Sequence, residues 1–334
     1  MSAPAHSMYS GPAMLRAAEL GLTLGRPNQD VFAETLLALA RQDPGIVVVT
    51  SDSRGSGKLG PYGQALPRQI VEVGIAEQNL VGIAAGLSQT GKSVFAVSPA
   101  CFLTARSLEQ IKNDVAYSAN PVKLVGISAG VSYGALGSTH HSLHDLAAVR
   151  AINNIEIIVP ADNAETRWAV RQAARAAHPV YLRFGKFPLL DLHSTNELGE
   201  PGQAFTLREG TDLAFIATGE TVAHAVLAAA ELAATDSVSC QVLSVPSLRP
   251  LDHAAIVRAA RCGALITVEE HMVHGGLGEA CAAVLLEAGA HPRFRRVGIP
   301  DEYTVTGSQA DIFRHYGISM EGLSATARSL LKSV

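Results

Sequence analysis

Three short stretches of this chain carry side chains that could act together chemically. The first is V-E-V-G-I-A-E-Q-N at residues 71–79, where an apolar run ends in a glycine and Glu77 opens an Ala/Gly-rich helical segment. A carboxylate in the first turn of a helix is stabilised by the unpaired N–H groups there, so a structural role accounts for it as well as proton transfer does. The second is S-P-A-C-F-L-T-A-R at residues 98–106. Phe102 reads either as a core aromatic or as a face on which a flat heterocycle stacks. The third is G-A-L-G-S-T-H-H-S-L-H-D at residues 134–145, a Gly-rich loop entering a helix start. Such a loop offers backbone N–H groups and imidazoles to a ligand. His140 and His144 could share a helix face, but no third ligand follows at a known metal spacing, so no metal is assigned to this chain. One of the histidines 140, 141 and 144 is expected to be buried and structural.

The elements that must position these stretches alternate. Strand-like runs at 46–50, 70–73, 93–97, 122–127, 155–159 and 180–184 are separated by helical segments such as 29–41, 76–89 and 163–177. The last of these opens on Asp162 and Glu165, a D-x-x-E capping pattern. Strand–helix alternation predicts a largely parallel sheet covered on both faces. The rhythm breaks between about 186 and 211, where Pro188, Gly199, Pro201 and Gly202 mark a linker. It resumes with strands at 213–217, 239–245, 264–269 and 293–298 and helices near 222–234, 253–261 and 277–287. The fold class is α/β with two parallel or mixed-sheet domains. The expected divisions are a loosely ordered extension around one short helix at 1–25, a first domain at 26–190, a linker at 191–211 and a second domain at 212–334.

Composition narrows the function. The 334 residues suffice for two ordinary cores. A net charge of −4 with 17% charged residues advertises no basic face for nucleic acid. No apolar stretch approaches the roughly 20 residues of a membrane span. The four cysteines form neither a C-x-x-C pair nor a secreted framework, and the N-terminal stretch lacks a secretory pattern, so the expected location is the cytoplasm.

The G-I-A-E-Q-N start resembles the pyrimidine-binding domain of the transketolase family of thiamine diphosphate enzymes. The resemblance implies that Glu77 contacts the cofactor's aminopyrimidine and starts catalysis by sharing a proton with its N1′ nitrogen. It implies that Phe102 packs on that ring, with Ile75 and Arg106 completing the cofactor contacts. The further aromatics that some relatives place three and six positions later are Ala105 and Leu108 here. G-S-T-H matches the family's G-x-T-H, which puts His140 beside the thiazolium and the substrate oxygen, with His141 and Asp145 close behind it. Asp52 and Ser56 fit the family's polar substrate loop. Ser128 stands where relatives have a further histidine, and Lys186 where they have a phosphate-gripping arginine. Leu136 replaces an aspartate, and Gln29 falls near another phosphate-binding arginine. Ser128, His140, His141 and Lys186, with Asp52 and Ser56, form the expected substrate wall.

T-V-E-E-H at 267–271 followed by G-G-L-G at 275–278 resembles the family's C-terminal domain, which mainly supports assembly, so Glu270 and His271 are expected to be structural. The diphosphate and Mg²⁺ need hard oxygen ligands, which the family takes from a G-D-G…N motif. No G-D-G occurs in this sequence. The resemblance therefore implies a split transketolase. Its other subunit would carry G-D-G…N, and the two chains would assemble as a heterotetramer active on small ketose and aldose substrates. The alternatives are a 2-oxo acid dehydrogenase β-subunit, a 1-deoxyxylulose-phosphate synthase-like acyl donor reaction, and a catalytically idle scaffold subunit.

Overall fold

The computed structural model describes residues 7–194 and 198–332; residues 1–6 of the expected extension and 195–197 of the expected linker lie outside the described residues. In chain order the first strands are β1 (Leu24–Pro27), β2 (Ile46–Thr50), β3 (Ile70–Glu72), β4 (Ser93–Pro99), β5 (Lys123–Ile127), β6 (Glu156–Ile158) and β7 (Val180–Arg183). After them come β8 (Pro188–Leu190), β9 (Phe205–Arg208), β10 (Leu213–Ala217), β11 (Cys240–Ser244), β12 (Ser247–Arg249), β13 (Ala264–Met272) and β14 (Arg293–Ile299). Most ends fall within one or two residues of those expected, the usual spread at element termini.

The first sheet runs β12-β6-β7-β5-β4-β2-β3 and is parallel apart from β12, which pairs antiparallel with β6. Its central strands read as unbroken apolar runs because both faces are covered. In β2, Val49 packs with Leu80 and Ala84 of the helix Glu77–Ser88 on one face. Val48 packs with Phe32, Leu36 and Trp168 on the other. The D-x-x-E pattern caps the helix Asn163–Arg175: Asp162 Oδ1 accepts from Glu165 N at 2.8 Å, and Glu165 Oε2 accepts from Ala161 N at 2.7 Å. The second sheet runs β14-β13-β10-β11-β9, parallel except for the antiparallel edge strand β9. It lies between the small-residue helix Thr221–Asp236 and the helix Leu277–Glu287.

Three segments differ from expectation. The N-terminal stretch is not loose within its described part: the helix Gly11–Glu19 sets Ala13 and Ala17, four apart on one face, into the second domain's core. Ser10 Oγ caps it, accepting from Ala13 N at 3.1 Å, and Arg16 pairs with Glu231 at 2.7 Å. Where the rhythm breaks, β8 closes the expected first domain by pairing antiparallel with β1, and the expected linker holds β9 on the second sheet's edge. Both strands are short, and their pairing partners are far away in sequence, so no local pattern reveals them. Finally, β12 follows β11 directly but joins the first sheet, which stitches the two domains together.

Strand order reverses between β2 and β4: the chain leaves β2 for β3 on one side and crosses back to β4 on the other. In open α/β sheets such a reversal leaves a crevice beyond the carboxyl ends of the strands, where ligands bind.

Candidate active site at the carboxyl edge of the first sheet

The residues nominated for the cofactor contacts and the substrate wall all follow strands at this edge. Asp52 and Ser56 follow β2, Ile75 and Glu77 follow β3, Phe102 and Arg106 follow β4, Ser128, His140 and His141 follow β5, and Lys186 follows β7. The backbone is held unusually here, with Asp52, Lys58 and Ser128 at φ 50°, 59° and 51°. Non-glycine residues adopt this left-handed conformation at a cost, and such positions concentrate at functional sites.

Glu77 is the first residue of its helix. The chain reaches it through Gly74, whose φ of 72° turns the backbone out of β3. The Glu72 carboxylate steadies that turn, accepting from Gly74 N at 3.1 Å and from Asp52 N at 2.6 Å, and so ties the β2 and β3 loops together. Glu77 itself is only 4% exposed. Both its oxygens accept from Arg106 Nη1, at 3.0 and 3.1 Å, and the Arg106 guanidinium lies over the Phe102 ring with Cζ 4.4 Å from the centroid. A cleft of about 580 Å³ opens here, lined by Ile75, Ala76, Glu77, Gln78, Asn79 and Arg106.

From Phe102 the site continues as a row of rings. His140 meets Phe102 edge-on at 5.3 Å and Tyr133 at 5.4 Å between centroids, and Lys186 Nζ sits 4.6 Å from the Tyr133 centroid. Half-burial, then the charge of Lys58, lowers the Lys186 pKa from its ordinary value. Ser128 is fully buried beside Tyr133. Thr139 Oγ1 lies 2.9 Å from His140 Nδ1.

The neighbouring histidines have other places. His141 is buried, with Nδ1 2.6 Å from Thr304 Oγ1 and Nε2 2.9 Å from the Gly134 carbonyl, and burial lowers its pKa. It stands behind the loop, with both ring nitrogens engaged by this chain. Ser138 Oγ, 3.1 Å from Thr304 Oγ1, adds a second tie from the loop to the second domain. His144 is exposed at the start of the next helix. Among the described residues, no group of three or more His, Cys, Asp or Glu side chains is arranged to hold a metal ion. Gln29 is buried and donates to the Ser56 carbonyl at 3.0 Å, so it supports the loop after β2 from behind, and Leu136 is half exposed.

Behind the loop lies a buried polar hub between the domains. Arg183 donates to Asp145 at 2.8 Å and to the Glu270 carbonyl at 2.9 Å, and Tyr181 OH donates to Asp145 at 2.7 Å. Glu270 accepts from Val131 N at 2.8 Å and from Gln309 Nε2 at 2.7 Å, while the same amide donates to Glu220 at 2.5 Å. Asp145 therefore braces the loop from below, and Glu270 and His271 belong to the interface. Glu269 caps the helix Leu277–Glu287, accepting from Leu277 N and Gly278 N at 2.8 Å each. Tyr133, Glu72, Thr304 and Arg183 carried no spacing signal in the sequence, because each acts through a contact to a distant segment.

Residues 26–189 match the model of the transketolase pyrimidine-binding domain, and residues 202–323 that of the transketolase C-terminal domain. The chain is 48% identical over 303 residues to an apulose-4-phosphate transketolase subunit of Phocaeicola vulgatus, covering 90% of this chain and 96% of that protein. It is 34% identical over 303 residues to a 6-deoxy-6-sulfo-D-fructose transketolase subunit of a Clostridium species, covering 90% and 94%. Among solved structures it superposes on a split-gene transketolase, an inactive β4 tetramer, with a TM-score of 0.84 and 35% identity over 92% of this chain and 99% of that one. With the same two domains in the same order, this chain belongs to the transketolase family of transferases and matches its split members over nearly their whole length.

Proposed function

We propose that this chain forms the proton-handling and substrate-facing side of a ketol-transfer site that a second subunit completes. The reaction moves a two-carbon unit from a ketose donor to an aldehyde acceptor. The observation that carries it is the buried Glu77 carboxylate at a helix start, opening on a cleft whose wall residue Arg106 lies over the Phe102 ring. A buried hydrogen-bonding acid next to an aromatic face suits an aminopyrimidine, which needs one partner for its ring nitrogen and one for its π-face. The residues that would hold this end of thiamine diphosphate are Glu77, Phe102 and the exposed Ile75. When bound, the cofactor supplies the carbon nucleophile and the electron sink for carbon–carbon cleavage.

Glu77 would hold a proton at the pyrimidine nitrogen, in surroundings dry enough to strengthen that interaction. His140, fixed between Phe102 and Tyr133, is set to donate to a developing substrate oxyanion. Asp52 and Ser56 are assigned to the sugar hydroxyls. The two relatives are named for substrates that carry a phosphate and a sulfo group. A terminal anion on the substrate here would meet Lys186 as a point charge, without the two-pronged grip of an arginine. His141 and Ser128 shape the wall from behind.

The diphosphate and Mg²⁺ are assigned to a second chain that carries G-D-G…N, in a heterotetramer with two copies of each chain. The inactivity of the β4 tetramer described for a similar chain accords with a site shared between two different chains. The test is a ketol-transfer assay of the assembled pair with thiamine diphosphate and Mg²⁺. Glu77→Gln should lower the rate by about 100-fold or more, on the usual weight of a positioned acid or base. Full activity in that variant would sink the proposal.

A further inference from the structure

We propose that Arg106 is an internal stand-in for the aminopyrimidine ring, an inference that rests on the assignment of this cleft to that ring. The guanidinium is a flat, delocalised group with N–H donors along its edge. It makes the two contacts required of the ring: it lies over Phe102 at 4.4 Å and hydrogen-bonds both oxygens of Glu77. A flat group lying on one face of Phe102 excludes a second from that face, and Arg106 Nη1 already spans both Glu77 oxygens. Cofactor entry must therefore displace Arg106 from at least one of these contacts.

The geometry also explains why such a group would be built in. A carboxylate buried as deeply as Glu77 is costly without a partner, whether or not the cofactor is bound. Arg106 supplies that partner from the last turn of the short helix Ala100–Arg106. It is suited to leaving, since its side chain is 51% exposed and, among the described residues, only Nη1 makes a hydrogen bond. Its surroundings are unlike those of the buried arginine of this domain: Arg183, 5% exposed, donates through both Nε and Nη2. The arginine end of this pair is half in water and can trade the contact for hydration, while the buried carboxylate then needs the ring in its place. The site of the lone subunit is thus self-satisfied, and the arginine competes with the cofactor.

The experiment uses the full chain alone, with thiamine as the probe so that no diphosphate site is needed, followed by calorimetric titration and thermal melting. Arg106→Met should bind thiamine roughly tenfold tighter than the parent chain, the combined weight of a half-exposed ion pair and a cation–π contact. The same variant should melt lower in the absence of thiamine, because Glu77 has lost its partner. Arg106→Lys, which keeps the charge and loses the flat stacking group, should fall between the two in affinity. Phe102→Ala and Glu77→Gln should weaken binding whatever stands at residue 106. Binding that weakens in Arg106→Met and in both site variants would make Arg106 an ordinary cofactor contact, overturning the inference and sparing the site assignment. Binding unaffected by Phe102→Ala and Glu77→Gln, or absent from every variant, would overturn both.

Discussion

Two parts of the molecule bury carboxylates, and they bury them differently. At the carboxyl edge, Glu77 has one side-chain partner among the described residues, a half-exposed arginine beside an open cleft. In the hub between the domains, Asp145, Glu220 and Glu270 are held by Arg183, Tyr181, Gln309 and backbone N–H groups, all out of reach of solvent. Buried charge alone therefore does not mark an active site. What separates the two is whether the partner can leave: the hub's Arg183 and Gln309 are themselves buried and tied to more than one segment, while the edge leaves Glu77 a half-exposed, removable one. A group that must exchange partners with a ligand needs the second arrangement, and a group that clamps two domains needs the first.

The sharpest way to break this comparison is to remove one hub partner. Arg183→Met leaves Asp145 buried with an uncompensated charge and should cost about 3–5 kcal/mol in denaturant unfolding, as breaking a buried pair does. A loss no larger than that of an exposed pair would show that the hub is as replaceable as the edge. Glu77→Gln should do the reverse, lowering ketol transfer of the assembled pair by about 100-fold or more while the melting temperature stays close to that of the parent chain. A large fall in stability would move Glu77 into the hub's class.

The hub also predicts a pH effect of definite sign. Burial, outweighing the hydrogen bond from Gln309, raises the Glu220 pKa to about 7, and burial next to Glu220 raises Glu270 well above the ordinary carboxyl range. An acid whose folded pKa is raised binds its proton more tightly in the native state. The stabilisation it gives is full below the ordinary value of 4.5 and is lost as the pH climbs through about 7. Glu220→Gln imitates the protonated form, so its melting temperature should match the parent near pH 5 and exceed it at pH 8. A gap that does not widen with pH would contradict the shared burial of the two acids. The smallest expected effect is at the far end of the edge. Lys186→Met should raise KM for an anionic ketose about tenfold, with kcat little changed, as the loss of one uniformly bound charge contact does. An equal loss on an uncharged ketose would remove the anion from the assignment.

Much of the edge was legible because its residues sit in local patterns. Glu77 follows an apolar run and a turn glycine, Phe102 opens a helix after a buried strand, and His140 ends a Gly-rich loop. Strand-to-helix junctions of this kind are written in consecutive residues. The hub was not legible, although Glu270 and His271 read as structural, because its members come from β7, β13 and the helices Asp145–Ala151 and Gln309–His315. The docked N-terminal helix is hard to foresee for a similar reason: an Ala13/Ala17 face looks weak until the complementary helix Thr221–Asp236 is placed against it.

By itself the sequence determined the two α/β domains, the order of their main strands and helices and the identity of the groups at the strand ends. Periodicity, capping and turn chemistry are properties of neighbouring residues, and they act before the chain is compact. Only the tertiary structure decided which strand joins which sheet, so that β12 ties the second domain to the first. It also decided that His141 turns away to Thr304 while His140 stays in the row of rings, and that Arg106 folds back over Phe102 onto Glu77. Those outcomes depend on which distant side chains arrive at the same place. There a buried acid must take whatever partner the packing brings, and no stretch of local sequence specifies that partner.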